Sequence, residues 1–173
     1  MFVQKTIEFL RCHQAKYEVT AHPSASRTLE ASSSKQRSPT SGLTRTVLVN
    51  VDGELAMMLI PGNHRPRLDM LKDLIDAQTV RLPEDQEVHD VFPDCEIDAI
   101  PPFGTLDGMR VFVDETVTRN PMLAFSLGCG TEVVEMLYGD YARLVRPLVA
   151  PLAAPNVEAK PRMMAQRSYA GAG

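Results

Sequence analysis

Residue types that could do chemistry are scattered along this sequence. Cys129 lies between Gly128 and Gly130, and a thiol there could act as a nucleophile if a base activated it. No His or Asn lies close in sequence, so an inert small-residue role is the favoured alternative. The sequence contains no nucleophile elbow, P-loop, dinucleotide fingerprint or His-Glu-x-x-His motif. These residues therefore do not indicate a self-sufficient catalytic triad.

The segment from Phe92 to Gly104 is the most informative stretch, and it reads Phe-Pro-Asp-Cys-Glu-Ile-Asp-Ala-Ile-Pro-Pro-Phe-Gly. Pro101 and Pro102 fix φ at consecutive positions, remove two backbone donors and push the residue before each into extended conformations. Gly104 then lets the chain turn without a Cβ penalty. We interpret this segment as a stiff loop that shapes a site. A purely structural turn is the alternative.

This loop resembles the YbaK/prolyl-tRNA synthetase-associated family, whose members are editing domains that remove wrong amino acids from tRNA. The segment Val111–Glu115, which follows the loop, is similar to the family's next strand. Further landmarks occur in the family's order at Tyr17, His22-Pro23, Leu43–Val49, Leu127–Glu132 and Asp140–Leu144. Together they cover roughly residues 3 to 147. The resemblance therefore spans most of the chain.

Hydrolysis in this family is thought to rely on the terminal ribose hydroxyl of the tRNA, while the protein supplies a pocket, backbone donors and a placed water. The resemblance puts Arg45 at the position of the family's lysine, where it would bind the phosphate or the amino-acid end. A guanidinium fork does not simply replace an ammonium group. An exposed strand arginine is the alternative.

The resemblance also implies that the loop of Asp98, Ala99, Ile100, Pro101 and Pro102 supplies backbone donors. Asp98 replaces a family glycine, and its carboxylate would repel an incipient oxyanion unless the side chain points away. Gly130 replaces a family histidine. The implied substrate pocket adds Gly128, Cys129 and His22, and Thr46 and Ser126 would line the same pocket if the hairpin and the later strand pack side by side. A His-Pro turn that fixes the chain after the first helix is an equal alternative for His22.

Composition narrows the class of protein. The chain has 173 residues, of which 44% are hydrophobic, which suits one packed domain. Its net charge of −4 argues against duplex DNA as a partner but leaves a local pocket for an acylated tRNA 3′ end. Three dispersed cysteines without a Cys-x-x-Cys pair suggest neither a disulfide framework nor a zinc site, and they indicate a reducing compartment. We expect a cytoplasmic protein without a signal peptide, membrane span or cofactor.

Periodicity predicts the elements that must position these residues. Apolar spacing indicates a helix over residues 2–15, and Asp52-Gly53 between apolar runs predicts a hairpin from Thr44 to Ile60. Further helices are expected near residues 68–75 with Asp69 as a cap, before Phe92, and from Asp140 to Val145. Strands are expected near residues 97–101, 111–113, 123–127 and 133–137. Residues 24–42 indicate a loop with at most one short helix, and the tail after Pro147 is expected to be disordered.

These elements predict a single α/β domain over residues 1–148, with a curved, mixed or antiparallel, barrel-like sheet flanked by helices, and a disordered tail over 149–173. We expect Arg45, the loop 98–102 and the turn 128–130 to converge on one cleft. The resemblance implies a free-standing hydrolase that deacylates mischarged aminoacyl-tRNA, with an aminoacyl-tRNA synthetase as a further candidate partner. The alternative is a lapsed module that binds tRNA 3′ ends, an amino-acid-like ligand or a protein.

Overall fold

The computed structural model describes residues 1–21 and 43–156. Within these residues the helices are α1 (Phe2–Cys12), α2 (Leu68–Ile75), α3 (Asp85–Val91) and α4 (Tyr138–Val145). The strands are β1 (Tyr17–Ala21), β2 (Thr44–Val51), β3 (Glu54–Pro61), β4 (His64–Pro66), β5 (Val80–Arg81), β6 (Val111–Asp114), β7 (Met122–Ser126), β8 (Glu132–Leu137), β9 (Leu148–Ala150) and β10 (Ala153–Pro155). None of the described helices combines the length and hydropathy that a membrane span requires. His22 and the segment 24–42 lie outside the described residues.

The predicted hairpin is confirmed. Strands β2 and β3 pair antiparallel from Thr44 opposite Pro61 to Val51 opposite Glu54. Asp52 and Gly53 form the turn with φ of 51° and 93°, the left-handed backbone that an Asp-Gly hairpin requires. This local signal is sufficient because the turn type and the strand register are set by adjacent residues.

The strands form a mixed arrangement, as expected. The largest sheet has the order β5-β2-β3-β6-β9, in which β3 and β6 run parallel and β2 and β3 run antiparallel. A second sheet has the order β1-β8-β7, and β4 pairs with β10. A parallel bridge between Leu43 and Ala124 joins the start of β2 to β7. Among the described residues, none of the sheets closes into a barrel.

Strand β2 separates two cores because its side chains alternate between the faces of the sheet. On one face, Leu48 packs in a cluster with Ile100 and Phe103, together with residues of α1 and α4. On the other face, Val49 packs in a cluster with Leu71 of α2. We call these clusters the first core and the second core.

Several predicted boundaries are wrong. Residues 97–101 do not form a strand, because Ile97–Ala99 is a 3-10 turn and the two prolines that follow cannot donate to a sheet. The Asp69 cap is wrong, because α2 begins after Arg67 and Asp69 lies in its first turn. Helix α4 begins at Tyr138, two residues before the predicted start at Asp140. Helix α1 also ends earlier than predicted, at Cys12.

The tail prediction is wrong for residues 149–156, because a buried carboxylate holds them. Asp114 is 1% exposed, and its Oδ1 accepts hydrogen bonds from the backbone N–H groups of Leu152 at 2.7 Å and Ala153 at 2.9 Å. Its Oδ2 accepts from the backbone N–H of Thr116 at 3.1 Å and from the Thr116 hydroxyl. The ordered domain therefore extends past residue 148, through β9 and β10. The rest of the predicted tail lies outside the described residues.

We expect Asp114→Ala to lower the free energy of unfolding by about 3 kcal/mol or more, because it leaves several buried N–H donors without an acceptor. Urea unfolding followed by circular dichroism measures this change. The matched control is Asp73→Ala, which alters an exposed carboxylate on α2 and should change stability by less than about 0.5 kcal/mol. Equal stability of the two variants would contradict the structural role of Asp114.

Candidate functional site

The proline loop docks on the glycine turn through backbone hydrogen bonds. The N–H of Gly128 donates to the carbonyl of Ala99 at 2.7 Å, and the N–H of Glu96 donates to the carbonyl of Gly128 at 2.8 Å. The N–H of Gly130 donates to Oε2 of Glu96 at 3.1 Å. We call this contact between residues 96–99 and 128–130 the loop–turn junction. It brings together two of the three segments expected at one cleft.

Gly128 is required at this junction for two reasons. Its φ of +80° lies in the left-handed region, and a Cβ there would lie 2.3 Å from Cγ2 of Val3 on α1. The same helix is tied to the loop, because the backbone N–H of Val3 donates to Oδ2 of Asp94 at 3.3 Å. Helix α1 therefore holds the loop and the turn against each other.

The second half of the loop is anchored in the first core. The hydroxyl of Tyr141 on α4 donates to the carbonyl of Pro102 at 2.7 Å, and burial raises the Tyr141 pKa well above its ordinary value. The Phe103 ring packs edge-on against Tyr141 and Phe125, with ring centroids 5.4 Å and 5.5 Å away. Pro101 is also buried. The loop is therefore fixed by packing as well as by its prolines.

The N-terminal half of β2 completes the surroundings of the junction. The 3-10 turn Ile97–Ala99 lies against β2 and β7. The Thr44 hydroxyl of β2 donates to the carbonyl of Ala124 on β7 at 2.8 Å. The backbones of β2, the loop and the end of β7 thus meet at one place.

The side chains of Arg45 and Thr46 leave β2 on opposite faces. The Thr46 side chain lies on the same face of β2 as Leu48, against the first core, which includes Ile100. The Arg45 side chain lies on the face that packs against the second core. Nη2 of Arg45 donates to the carbonyl of His64 on β4 at 2.9 Å. Strand β2 therefore reaches the junction, but the guanidinium is directed away from the face on which Ile100 packs.

Two buried polar atoms lie at this part of β2. Nε of Arg45 and Oγ1 of Thr46 are both buried and have no hydrogen-bond partner among residues 1–21 and 43–156. Such orphaned groups are costly in a folded interior, where polar atoms are normally paired. Because such atoms are uncommon, this part of β2 is a candidate for binding a polar ligand.

Ser126 projects from the same sheet face as Arg45. Leu43 and Ala124 form the parallel bridge between β2 and β7, and Arg45 and Ser126 each follow by two residues, so alternation places both side chains on the Leu43 and Ala124 side. Ser126 is buried at 9% exposure. The predicted residues therefore divide into an Arg45 and Ser126 face and a Thr46 and Ile100 face.

The remaining predicted residues lie around the junction. Asp98 is exposed, Ala99 is buried, and Cys129 is partly exposed with its Sγ 3.1 Å from Oγ1 of Thr131. Within residues 1–21 and 43–156, no group of three His, Cys, Asp or Glu side chains could hold a metal ion.

Sequence reasoning missed Glu96, which contributes both its N–H and its carboxylate to the junction. The available signal was weak, since it consisted only of an acidic residue two positions before Asp98 in a loop already predicted to be stiff. Its partner, Gly130, lies 34 residues further along the chain. A contact at that separation leaves no trace in local spacing.

The fold and these contacts define a mixed α/β domain whose candidate site consists mainly of backbone groups and lacks a paired nucleophile and base among the described residues. The model of the aminoacyl-tRNA editing domain family matches residues 22–144, and the chain belongs to this family. The resemblance read from the loop is thereby confirmed. No curated protein matches the chain.

Solved structures support the same fold. The hypothetical protein APE2540 superposes with a TM-score of 0.75 at 18% identity, over 87% of this chain and 99% of its own. A candidate trans-editing enzyme for prolyl tRNA synthetase superposes with a TM-score of 0.71 at 17% identity, over 88% of this chain and 96% of its own. A candidate signal transduction protein from Marinobacter aquaeolei VT8 has a TM-score of 0.66 at 18% identity, over 88% of this chain but 31% of its own. At these identities the likeness concerns the fold alone.

We expect Gly128→Ala to destabilise the protein more than Gly53→Ala. Both residues have positive φ, but a Cβ at Gly53 meets nothing within 4 Å, whereas one at Gly128 meets Val3 at 2.3 Å. Gly53→Ala should cost about 1 to 2 kcal/mol from backbone strain alone, and Gly128→Ala about 1 to 3 kcal/mol more from the clash. Thermal and urea unfolding measure the difference. Val3→Ala should recover part of the loss only in the Gly128→Ala background, and equal losses at the two glycines would contradict the packing role.

Proposed function

We propose that this protein is a free-standing hydrolase that deacylates mischarged aminoacyl-tRNA. The observation that carries the proposal is the loop–turn junction, since a proline loop locked onto a glycine turn presents rigid backbone groups in a domain of the aminoacyl-tRNA editing family. The partner would be the acylated 3′ end of a tRNA. A solved structure with this fold is described as a candidate trans-editing enzyme, which agrees with the proposal.

The reaction needs positioning more than a protein nucleophile. A water molecule adds to the ester carbonyl carbon, the bond from that carbon to the ribose oxygen breaks, and the ribose oxygen takes a proton as the free amino acid leaves. Preorganised N–H donors aimed at the developing oxyanion contribute about 3 kcal/mol each. In our proposal the amides of Asp98 and Ile100 supply such donors, since the Ala99 N–H is already bonded to the Glu96 carbonyl at 2.9 Å, and the terminal ribose hydroxyl of the tRNA assists the water.

Rigidity is what the described contacts add to this chemistry. The carbonyls of Ala99 and Pro102 are held by Gly128 and Tyr141, so the peptide units between them have little freedom to turn. A donor that is already oriented costs no reorganisation when charge develops. The turn Gly128–Gly130 would shape the amino-acid side of the pocket, with Cys129 and Ser126 beside it.

Arg45 would act at the phosphate-bearing end of the substrate. Its guanidinium is part-buried and donates to the His64 carbonyl, which fixes its direction on the Ser126 face of the sheet. A fixed guanidinium can bind a phosphate through two parallel N–H donors. In this proposal Arg45 binds the terminal nucleotide on one face of β2, while the loop binds the ester on the opposite face.

A second candidate is a module that binds the same 3′ end without hydrolysing it. The exposed Asp98 carboxylate favours this candidate, because a negative charge beside the loop opposes an oxyanion. Gly130 also lacks the imidazole found at that position in the family. Hydrolysis and binding are separated by the experiment below.

We expect the purified full-length protein to release an amino acid from at least one mischarged tRNA in a panel of noncognate pairs. Acid-gel analysis of end-labelled aminoacyl-tRNA measures release against the spontaneous rate. The control is the Gly128→Ala variant, assayed where it is still folded, which should lose most of the activity because the junction is disturbed. Binding of a non-hydrolysable aminoacyl amide analogue without release from any substrate would instead establish the binding module.

We expect Arg45→Ala to lower kcat/KM for the accepted substrate by one to three orders of magnitude, which corresponds to about 1.4 to 4 kcal/mol. Arg45→Lys tests whether a charge without the planar fork is enough. Arg119→Ala is the control, because Arg119 is an exposed cation with a long contact of 3.7 Å to Glu115. Unfolding curves are needed for each variant, since Arg45 also holds the His64 carbonyl. Unchanged turnover in a folded Arg45→Ala variant would remove this residue from the site.

A further inference from the structure

Two thiols, Cys95 and Cys129, lie on the two sides of the loop–turn junction. Glu96 donates its N–H to the carbonyl of Gly128 at 2.8 Å, and each cysteine is bonded directly to one of these two residues, Cys95 before Glu96 and Cys129 after Gly128. The second hydrogen bond, from Gly128 to Ala99, anchors the other end of the 3-10 turn Ile97–Ala99 to the same glycine. Cys95 and Cys129 are therefore the residues that flank the Glu96–Gly128 hydrogen bond, one on each segment.

This placement is compatible with a disulfide. The 2.8 Å hydrogen bond joins the peptide unit after Cys95 to the peptide unit before Cys129, so the two Cα atoms lie within about 8 Å of each other. Disulfides span Cα separations of about 4.4 to 6.8 Å. Both thiols are free and partly exposed in this structure, so reagents from solvent can reach them. The remaining cysteine, Cys12, is exposed on α1 and has no comparable position at the junction.

The two thiols differ in their surroundings. Burial, with the nearby Asp94 carboxylate and Cys129, raises the pKa of Cys95 to about 12, so this thiol stays protonated at neutral pH. Cys129 influences Cys95 electrostatically, which agrees with their placement across the junction. Sγ of Cys129 lies 3.1 Å from the Thr131 hydroxyl, which can donate to a thiolate. Cys129 is accordingly the thiol that reacts first.

We propose that Cys95 and Cys129 form an oxidisable dithiol site that takes peroxides and closes into an intramolecular disulfide. The Cys129 thiol loses its proton, the thiolate attacks one oxygen of hydrogen peroxide, and the O–O bond breaks. The departing hydroxide takes up that proton, so a sulfenic acid and water are formed. The sulfur of Cys95 then attacks the Cys129 sulfur, its proton leaves with the hydroxyl group as a second water, and the S–S bond forms. Two thiols and one peroxide thus give one disulfide and two waters.

This disulfide would act on the candidate site. Drawing Cys129 toward Cys95 breaks the contact with Thr131 and covalently fixes the Gly128–Gly130 turn to the loop. A consequence for deacylation rests on the proposed function: oxidation lowers the rate at least fivefold, and a dithiol reductant restores it. The formation of the disulfide itself does not depend on that function.

The test is peptide mapping of the full-length protein after treatment with hydrogen peroxide and alkylation without reductant. We expect a crosslinked peptide pair containing Cys95 and Cys129, alkylated Cys12, and loss of the crosslink on reduction. Cys12→Ser should give the same crosslink, whereas Cys95→Ser and Cys129→Ser should not. Alkylation of both Cys95 and Cys129 in the treated protein would overturn the proposal, as would crosslinks only between molecules or a sulfinic acid at Cys129 beside an unmodified Cys95.

Activity is measured on the same samples as a separate readout. Deacylation that falls with the crosslink and returns with reductant supports the link to the site. A crosslink with unchanged deacylation overturns that link but leaves the dithiol site in place. Absence of deacylation in the reduced protein counts against the proposed function alone, because peptide mapping still reports on the cysteines.

Discussion

The candidate site depends on one backbone constraint, namely that Gly128 gives both its N–H and its carbonyl to the proline loop. This is possible only because Gly128 adopts a left-handed backbone and has no Cβ to collide with Val3. Helix α1, the loop and the end of β7 therefore meet at a single residue. A substitution that displaces helix α1, the loop or the end of β7 would also displace the other two, because the interior is closely packed and leaves no space for a local adjustment.

Strand β2 adds a second constraint, since it separates the first core from the second core. Alternation along the strand sends Thr46 toward the first core and Arg45 toward the second. Adjacent residues of β2 therefore face different parts of the protein. The carbonyl of His64 fixes the direction of Arg45, so β4 and its partner β10 also support the site. Asp114 contributes indirectly, because it orders the chain that leads into β10.

The parts of the fold that were predictable from sequence are those set by neighbouring residues. Asp52-Gly53 specified the hairpin, and apolar spacing specified α1, because turn chemistry and helical periodicity act over a few residues. The predictions of a strand over residues 97–101 and of disorder over residues 149–156 were wrong for the opposite reason. A 3-10 turn docked on Gly128 and a strand held by Asp114 depend on contacts between 29 and 39 residues apart in sequence, which propensity does not contain.

The same distinction applies to the candidate site. The loop and the glycine turn were recognisable because proline and glycine have strong local effects, whereas Glu96 was not, because its importance comes from a distant N–H. The resemblance puts Arg45, Asp98 and Gly130 at positions where the family has other residues, yet the hydrogen bonds that join the loop to the turn use mainly backbone atoms. A site that works by holding peptide groups in place tolerates such changes better than a site built on a nucleophile and its base. The side chains can then alter which substrate is accepted while the loop–turn junction stays the same.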